Sequence, residues 1–510
     1  MPGTDISTDT FAQVIRSHAA RRPDAPALTF EGVTQSFSDL NETSSAVANA
    51  LLSKGVKPGD RVTVLAKNRA EYFELIFATS KIGATLVGLN WRLSAREIAE
   101  ILEDAAPVLT FVDEIGAALM PEGGKTTEVV PFGAAFDALR AAAPTIDPGH
   151  TGAPDDVAMV LYTSGTTGLP KGVMLTNEGM SYTARLAKVW GMSGTSVNLV
   201  AMPLFHIGGS GYGSSTMMAG GHTVLMREVD IVQLLTLIPR HKVTHTFLVP
   251  AVVQSLLNTP GIELADLSSM QLLMYGASPM GDVLLRRAID VLGCNFMHAY
   301  GMTESSGTVV CLGPEKHDPD GPESGLLKSC GLPLPWVDLR VVDPATGDDV
   351  QTGKVGEIWL RTPMLMKGYW QNAAATSEAI VAGGWFRSGD AAYLDEGGHV
   401  FLFDRFKDMI VSGGENIYPA EVENVLNGHP AVAQVGVIGV ADDRWGETPL
   451  AVVVLREGHS ATEAELITFA RENLATYKCP KRVVFANQLP RNASGKLLKP
   501  EMRRIYGGIA

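Results

Sequence analysis

One short stretch, LYTSGTTGLPKG at residues 161–172, constrains the fold more than any other part of the chain. The apolar run from Val157 to Tyr162 predicts a buried strand that leads into this stretch. Hydroxyl side chains and glycines follow the strand, and then comes Lys171. Small residues after a strand let backbone N–H groups close on an anion, and hydroxyls and an ammonium add further donors. The stretch therefore predicts a phosphate-binding loop, with an ordinary polar turn as the alternative.

The loop differs from the Walker A loop found in many nucleotide-binding proteins. That motif needs Gly-Lys-Ser/Thr at the start of a helix. Here Pro170 precedes the lysine and Gly172 follows it. We therefore do not assign the loop to the Walker A class.

Strand and helix patterns alternate through most of residues 1–330. Alternation at this spacing predicts a parallel α/β sheet, and the number of segments fits two similar halves, roughly 1–190 and 191–330. Ser38 is predicted to cap a helix that ends near Gly55. Residues 114–154 are rich in Ala, Gly and Pro and are predicted to be a connecting region. The predicted strands include 61–66, 85–89, 108–112, 197–203, 245–249, 272–275 and 295–299.

The pattern changes after about residue 331. Short strand-like segments separated by turn clusters predict a smaller β subdomain. After DRFKD at 404–408, a helix that starts at Pro419, two strands and a further helix predict an independent α+β unit. The predicted fold class is therefore α/β, with an N-terminal domain of two α/β subdomains plus a β subdomain at 1–404. A small α+β C-terminal domain is predicted at 405–510.

Composition narrows the classes of partner. A chain of 510 residues is too long for one core, and its net charge of −14 disfavours nonspecific binding to nucleic acid. The four cysteines form no C-x-x-C pair, which favours free thiols and a cytoplasmic location. Residues 189–226 contain no charged side chain, but their glycines, Pro203 and two histidines interrupt any membrane span. We expect no transmembrane segment, and we leave open peripheral membrane contact and a homodimer.

Further polar clusters follow predicted strands, where open α/β sheets bind their ligands. The segment MYGASPM at 274–280 permits close backbone approach to a planar group. In HAYGMTES at 298–305, a tyrosine can stack on a base and Glu304 is a hard oxygen ligand for Mg²⁺. Asp390 in WFRSGDAAYL can hold ribose hydroxyls, although a lone turn aspartate is usually a cap. Together these clusters predict a nucleoside triphosphate pocket.

Six motifs in one order carry a family resemblance. They are TSGTTGLPKG, YGMTE, FRSGD, DRFKD, GGENIYPAEVE and PRNASGK. The set resembles the adenylate-forming family of acyl-CoA synthetases, adenylation domains and luciferases, and it extends from about residue 10 to 505. The sequence of the segment KDMIVSGGENIYPAEVE is most similar to that of bacterial fatty-acyl-CoA ligases. The resemblance implies a large N-terminal domain, a small mobile C-terminal domain, an active site between them, and the substrates ATP and coenzyme A with Mg²⁺.

The resemblance also implies roles for individual residues at matching positions. Lys496, Glu304 and Thr163 are expected to act in catalysis, with Glu304 on the Mg²⁺ and Lys407 at the hinge. Coenzyme A is expected near Ser412, Gly413 and Gly414. The residues expected to bind ATP are Thr163, Ser164, Gly165, Thr166, Thr167, Gly168, Lys171, Gly276, Ala277, Ser278, Tyr300, Gly301, Thr303, Asp390, Arg405 and Lys496.

The implied reaction has two steps. A carboxylate attacks the α-phosphate of ATP. Pyrophosphate departs, and an acyl-AMP remains. The metal, the loop N–H groups and Lys496 would lower the repulsion between the two anions. The C-terminal domain would then rotate, and coenzyme A would displace AMP to give a thioester.

The substrate acid is expected in a pocket formed by 205–213 and 247–252 with part of the YGMTE segment. Amino-acid-activating relatives place an aspartate where this chain has His206, which favours an acid without an amine. His206 is predicted to gate or line the pocket, with a packed, hydrogen-bonded histidine as the alternative. No Lys or Arg stands among the visible pocket residues to pair with a second carboxylate. The predicted acid-binding residues are His206, Gly208, Tyr212, Val249 and Met302.

These observations favour a ligase for medium- or long-chain fatty acids. Aromatic or steroid-derived acids remain open, and so does an acyl-AMP ligase that loads a carrier protein. A degenerate nucleotide-binding module is disfavoured because the chain retains Lys171, Glu304, Asp390, Arg405 and Lys496. A luciferase-like oxygenase is the most remote alternative.

Overall fold

The structure is a computed structural model, and it describes residues 9–121, 127–163, 170–278, 280–405, 408–412, 415–442, 444–491 and 497–509. The strands of the N-terminal part are β1 (Pro26–Phe30), β2 (Val33–Ser36), β3 (Arg61–Leu65), β4 (Thr85–Leu89), β5 (Leu109–Val112), β6 (Glu128–Pro131), β7 (Val157–Thr163), β8 (Lys171–Thr176), β9 (Val197–Val200), β10 (His222–Leu225), β11 (His245–Leu248), β12 (Leu272–Gly276), β13 (Asn295–Met302), β14 (Gly307–Leu312), β15 (Leu332–Pro333), β16 (Asp338–Val342), β17 (Gly356–Arg361), β18 (Gly368–Tyr369), β19 (Ile380–Val381), β20 (Trp385–Leu394) and β21 (Val400–Arg405).

The helices of the same part cover both faces of its sheets. They are α1 (Phe11–Arg21), α2 (Phe37–Ser53), α3 (Ala70–Ser80), α4 (Ala95–Ala105), α5 (Glu114–Leu119), α6 (Ala134–Ala141), α7 (Asn177–Ser181), α8 (Thr183–Val189), α9 (Ile207–Met218), α10 (Ile231–His241), α11 (Pro250–Leu257), α12 (Asp282–Leu292) and α13 (Ala373–Ala379). Ser94 caps α4 in a reciprocal box with Glu97. The cap of α2 is Ser36 rather than the predicted Ser38, because the Ser36 side chain accepts from the Asp39 N–H.

Two large mixed sheets form the body of the molecule. The first has the order β18-β8-β7-β4-β3-β5-β6, and the second has the order β15-β14-β13-β12-β11-β9-β10-β1-β2. The central strands of each sheet are parallel, while β8 and β14 run antiparallel to their neighbours. The α/β prediction is therefore confirmed.

The two halves are not successive pieces of chain, and this corrects the division at residue 190. The hairpin of β1 and β2 joins the second sheet, where β1 pairs with β10. Strand β18, far along the chain, closes the first sheet beside β8. The predicted connecting region 114–154 is also wrong in part, because β6 extends the first sheet and α5 and α6 flank it. The pattern of β6 was weak because only Val130 of its four residues is buried.

A third sheet follows in the predicted β subdomain, with the order β16-β17-β20-β19 and with β21 paired to β20. The C-terminal part has its own sheet and its own hydrophobic cores. The boundary at 404/405 stays a prediction. The C-terminal elements are β22 (Ile410–Ser412), β23 (Glu415–Ile417), α14 (Pro419–Asn427), β24 (Val432–Asp442), β25 (Gly446–Leu455), α15 (Glu463–Asn473), β26 (Arg482–Phe485) and α16 (Lys499–Tyr506).

Across the described ranges, no helix is both long and apolar enough to cross a bilayer. This agrees with the expectation for residues 189–226. Most of that stretch is buried, and it forms β9, α9 and β10.

Candidate active site

The predicted phosphate loop connects two antiparallel strands. Thr163 ends β7 and lies opposite Lys171, the first residue of β8. The loop residues Ser164, Gly165, Thr166, Thr167 and Gly168 lie outside the described residues. The hairpin therefore fixes both ends of the loop at one edge of the first sheet.

Lys171 and Glu304 come together through a tyrosine that the sequence analysis missed. The Tyr369 hydroxyl donates to Glu304 Oε1 at 3.1 Å, and Lys171 Nζ lies 5.0 Å from the centroid of the Tyr369 ring. Main-chain bonds hold this arrangement, because the Met366 N–H donates to the Glu304 carbonyl at 2.8 Å. Tyr369 stands in MKGYW, a segment with no catalytic motif, so only its pairing on β8 could have revealed it.

A second polar pair joins Tyr300 and Asp390, which are 90 residues apart. The Tyr300 hydroxyl donates to Asp390 Oδ2 at 2.8 Å, and the Ser388 hydroxyl accepts from the Asp390 N–H at 3.0 Å. Burial and the neighbouring carboxylate raise the pKa of Tyr300 well above its usual value, so this hydroxyl remains a donor. Asp390 also pairs in register with Arg405 across β20 and β21. The structure thus places three predicted nucleotide-binding positions side by side.

The ends of β12 and β13 meet with no room for side chains between them. A Cβ on Gly276 would lie 2.1 Å from the Ala299 carbonyl oxygen, and one on Gly301 would lie 2.0 Å from that of Gly307. Ala277 follows with φ +64°, a left-handed conformation that turns the chain away from the strand. Ser278 is next along the chain and half-buried. Thr303 begins a short 3-10 turn directly after β13.

We name Lys171, Tyr369, Glu304, Tyr300 and Asp390 the polar edge.

A cavity of about 100 Å³ opens beside this edge. Ala277 and Gly301 belong to its wall, so the cavity adjoins the ends of β12 and β13, next to Tyr300 of the polar edge. The described residues that line it include no charged side chain. We name it the apolar cavity, and its wall consists of Thr183, Leu186, Trp190, Ile207, Gly208, Gly211, Tyr212, Ser215, Phe247, Met274, Ala277, Ala299, Gly301, Ser306, Gly307 and Thr308.

Two of the five predicted acid-binding residues line the apolar cavity, namely Gly208 and Tyr212. His206, Val249 and Met302 are not among its wall residues. The wall also includes Phe247, which belongs to the predicted range 247–252, and Trp190, which sequence analysis missed. The rings of Trp190 and Phe247 lie 5.4 and 5.6 Å from that of Tyr212. The charge-free stretch 189–226 was the available signal, since it supplies Trp190 and the α9 residues of the wall.

His206 is the N-cap residue of α9, and its ring lies 4.6 Å from that of Phe205. Its Nε2 atom is buried and has no hydrogen-bond partner in the described part of the chain. Burial lowers the pKa of His206 to about 4, with a further contribution from the nearby Arg92. The imidazole is therefore neutral near pH 7, and its gating role stays a prediction.

Several predicted residues of the C-terminal part cannot be placed. Lys407, Gly413, Gly414 and Lys496 lie outside the described residues, and so does the side chain of Arg405. Ser412 is buried at the end of β22. On either side of the predicted hinge, the rings of Phe403 and Tyr418 lie 4.7 Å apart. The two parts also touch where Gln254 Nε2 donates to the Ala433 carbonyl at 3.1 Å.

A metal would have one protein carboxylate at the polar edge. The described residues contain no group of three or more His, Cys, Asp or Glu side chains able to hold a metal ion. Mg²⁺ needs fewer, because it is commonly held by one or two carboxylates together with substrate phosphates. Glu304, beside Lys171 and the phosphate-loop hairpin, fits that donor set.

Comparisons with known proteins identify the family to which the chain is similar. Residues 15–370 match the family described as AMP-binding enzyme, and residues 421–496 match the AMP-binding enzyme C-terminal domain. The fatty acid–[acyl-carrier-protein] ligase ScoC of Streptomyces coeruleorubidus is 40% identical over 511 residues, which covers 98% of this chain and 97% of that protein. A feruloyl-CoA synthase of Amycolatopsis is 38% identical over 497 residues, which covers 96% and 97%.

A solved structure is similar over almost the whole chain. It is the o-succinylbenzoate CoA synthetase MenE of Bacillus subtilis in complex with its acyl-adenylate intermediate. The TM-score is 0.84 at 33% identity, and the similarity covers 96% of this chain and 97% of the other. The fold is therefore that of this enzyme.

Proposed function

The chain belongs to the AMP-binding enzymes of the adenylate-forming superfamily, and we propose that it activates a hydrophobic monocarboxylic acid with ATP and passes the acyl group to coenzyme A. The products would be an acyl-CoA thioester, AMP and pyrophosphate. Adenylation comes first and thioester formation second.

One observation carries this proposal. Ala277 and Gly301 line the apolar cavity, and the polar edge begins at the adjacent Tyr300 on the same strand. An acid whose tail occupies the cavity would thus present its carboxylate where a nucleotide held by Tyr300 and Asp390 presents its phosphates. Placing two reactants at one sheet edge is what a carboxylate needs to attack the α-phosphate.

The residues of the polar edge would hold and orient the nucleotide. Asp390, kept in place by Tyr300 and Ser388, would accept hydrogen bonds from the ribose hydroxyls. Lys171, with the loop that starts at Thr163, would hold the pyrophosphate that leaves. Mg²⁺ bound at Glu304 would neutralise part of the phosphate charge. Lys496 would stabilise the charge that develops during adenylation, and rotation about Lys407 would then replace it with the thiol channel near Ser412.

For the acid, the sequence favours a medium- or long-chain fatty acid, and the likeness to a relative named as a fatty acid ligase supports this. Coenzyme A is the acceptor that we favour. That same relative is named for an acyl carrier protein, so carrier loading is the alternative acceptor.

A second candidate, an acid with an aromatic ring, is favoured by the dimensions of the cavity. An apolar cavity of roughly 150 Å³ accommodates a benzene molecule, and the cavity here measures about 100 Å³. Trp190, Tyr212 and Phe247 surround it with flat surfaces. One ring would therefore need only a small outward movement of the walls, whereas a long chain would need a much larger one.

The test is pyrophosphate release with a panel of acids, measured with coenzyme A, with an acyl carrier protein and with neither. The panel contains straight-chain acids of increasing length and aryl acids. We expect release to depend on the acid and thioester to form with coenzyme A. No release with any acid would refute the proposal, and thioester formed only on the carrier protein would refute coenzyme A as the acceptor.

Domain alternation is tested separately with Lys496→Ala. We expect adenylation to fall by about 10²–10³-fold because an electrostatic stabiliser of the transition state is lost. Thioester formation from supplied acyl-AMP should remain near the wild-type rate. An equal loss in both steps by a folded variant would contradict the rotation.

A further inference from the structure

The apolar cavity is bounded on one side by a single face of α9. Gly208, Gly211, Tyr212 and Ser215 all line it, and their spacing of three, four and seven residues places them on one helical face. The two glycines leave room, and Tyr212 supplies the one large side chain of this face. At 1.5 Å per residue, Tyr212 lies about 6 Å further along the helix than Gly208.

The Tyr212 hydroxyl is buried without a partner. The residue is 5% exposed, and its hydroxyl oxygen makes no hydrogen bond within the described part of the chain. Three other hydroxyls of the cavity wall already donate to main-chain carbonyls: Thr183 to Met180, Ser215 to Gly211 and Ser306 to Met364. Tyr212 therefore differs from them in having a donor that is not used.

An unused buried hydroxyl is costly. Leaving a buried polar group unsatisfied costs about 1–3 kcal/mol, and phenylalanine would fill the same space without that cost. Burial also raises the pKa of Tyr212 well above its usual value, so the hydroxyl stays protonated and can donate. The missing partner is therefore expected to be an acceptor atom that enters the cavity.

We propose that the acid activated by this protein carries a ring with an oxygen substituent, and that this oxygen accepts a hydrogen bond from the Tyr212 hydroxyl. This inference rests on the proposed acid-activating function, and it takes the aromatic candidate over the fatty acid because three aromatic rings line a small cavity. The oxygen belongs to a neutral group, such as a phenol or an ether, because no charged side chain among the described residues lines the cavity to pair with an anion. The ring lies among Trp190, Tyr212 and Phe247, with its carboxylate directed toward Ala277 and Gly301.

The experiment compares acids that differ by one acceptor atom. The probes are methoxyphenyl and ethylphenyl alkanoic acids, which have nearly the same shape, with zero to two linker carbons and with the substituent in the meta or para position. We measure kcat/KM for pyrophosphate release with the wild type, with Tyr212→Phe and with Tyr72→Phe. Tyr72 is the matched control because its hydroxyl is equally buried and unpartnered but lies outside the cavity wall.

We expect the wild type and Tyr72→Phe to prefer the best methoxy probe over its ethyl counterpart by about tenfold, the worth of one hydrogen bond. Tyr212→Phe should lose this preference, so that its kcat/KM values for the methoxy and ethyl probes become equal. If the wild type turns over these acids without preferring any methoxy probe, the inference is wrong and the proposed function stands. If the preference persists in Tyr212→Phe, another group recognises the oxygen and Tyr212 is not its partner. No release with any acid in the wider panel would instead refute the proposed function itself.

Discussion

The polar edge and the apolar cavity are neighbours built in opposite ways. At the polar edge, side chains from distant strands hold one another, as Tyr300 holds Asp390 and Tyr369 holds Glu304. In the cavity, space is left by absent side chains at Gly208 and Gly211, and the Tyr212 hydroxyl has no partner in the described chain. The difference indicates that the polar edge is preorganised for a fixed ligand, whereas the apolar cavity is completed by its ligand. Changes at the polar edge should therefore affect all acids alike, and changes in the cavity should affect them selectively.

The largest effect is expected for Glu304→Gln at the polar edge. Loss of the carboxylate removes the metal-binding charge, and we expect kcat for adenylation to fall by about 10²–10³-fold. The fall should be equal for every acid, as measured by pyrophosphate release across the panel. Glu315→Gln makes the same change at an exposed glutamate and should have no effect. A fall that depends on the acid would break the distinction between the two regions.

Asp390→Asn should have the next largest effect. The amide is a weaker acceptor for ribose hydroxyls than the carboxylate, and charge-assisted hydrogen bonds contribute about 1.5–3 kcal/mol. We therefore expect KM for ATP to rise by about 10- to 150-fold, with KM for the acid unchanged. Asp338→Asn, which alters an exposed ion pair with Arg361, serves as the control. A change confined to the acid KM would contradict the assigned role.

Gly211→Ala alters the apolar cavity, and it should therefore affect acids selectively and leave ATP binding unchanged. The new methyl group would lie 2.8 Å from Ile207 Cδ1, a flexible end that can move, and the cavity would narrow. A single methylene in such a pocket changes discrimination by about tenfold or more. We expect kcat/KM for ring acids to fall by about five- to tenfold relative to propanoate, with KM for ATP unchanged. Gly325→Ala adds the same methyl where no heavy atom lies within 4 Å, and it should change neither value.

The smallest effect concerns the stability of the fold at low pH. Burial is the main cause that lowers the pKa of four histidines to about 4, namely His206, His222, His298 and His317. Because their unfolded pKa is near 6.5, the unfolded state binds more protons between pH 6.5 and 4, and stability falls as the pH falls through that window. The urea midpoint should decrease from pH 7 to pH 5. His317→Gln should flatten this decrease, and a midpoint independent of pH would contradict the assignment.

Much of the fold could be predicted because its signals are local. Ser94 with Glu97 marks the start of α4, and the strand from Val157 to the phosphate loop is a continuous apolar run. The β1–β2 hairpin could not be assigned to its sheet, because its partner β10 lies almost 200 residues away and nothing local encodes that pairing. Strand β6 was missed because an edge strand with one buried residue lacks a clear period.

The same distinction holds for the site. The sequence by itself singled out the polar positions, including Lys171, Glu304, Tyr300 and Asp390, because each stands in a local motif whose residue types suit nucleotide binding. Only the tertiary structure revealed Tyr369 as the partner of Glu304, and Trp190 as part of the cavity wall. A cavity is the space left between elements that are far apart in the chain. Its size and the position of the Tyr212 hydroxyl exist only once those elements are packed together.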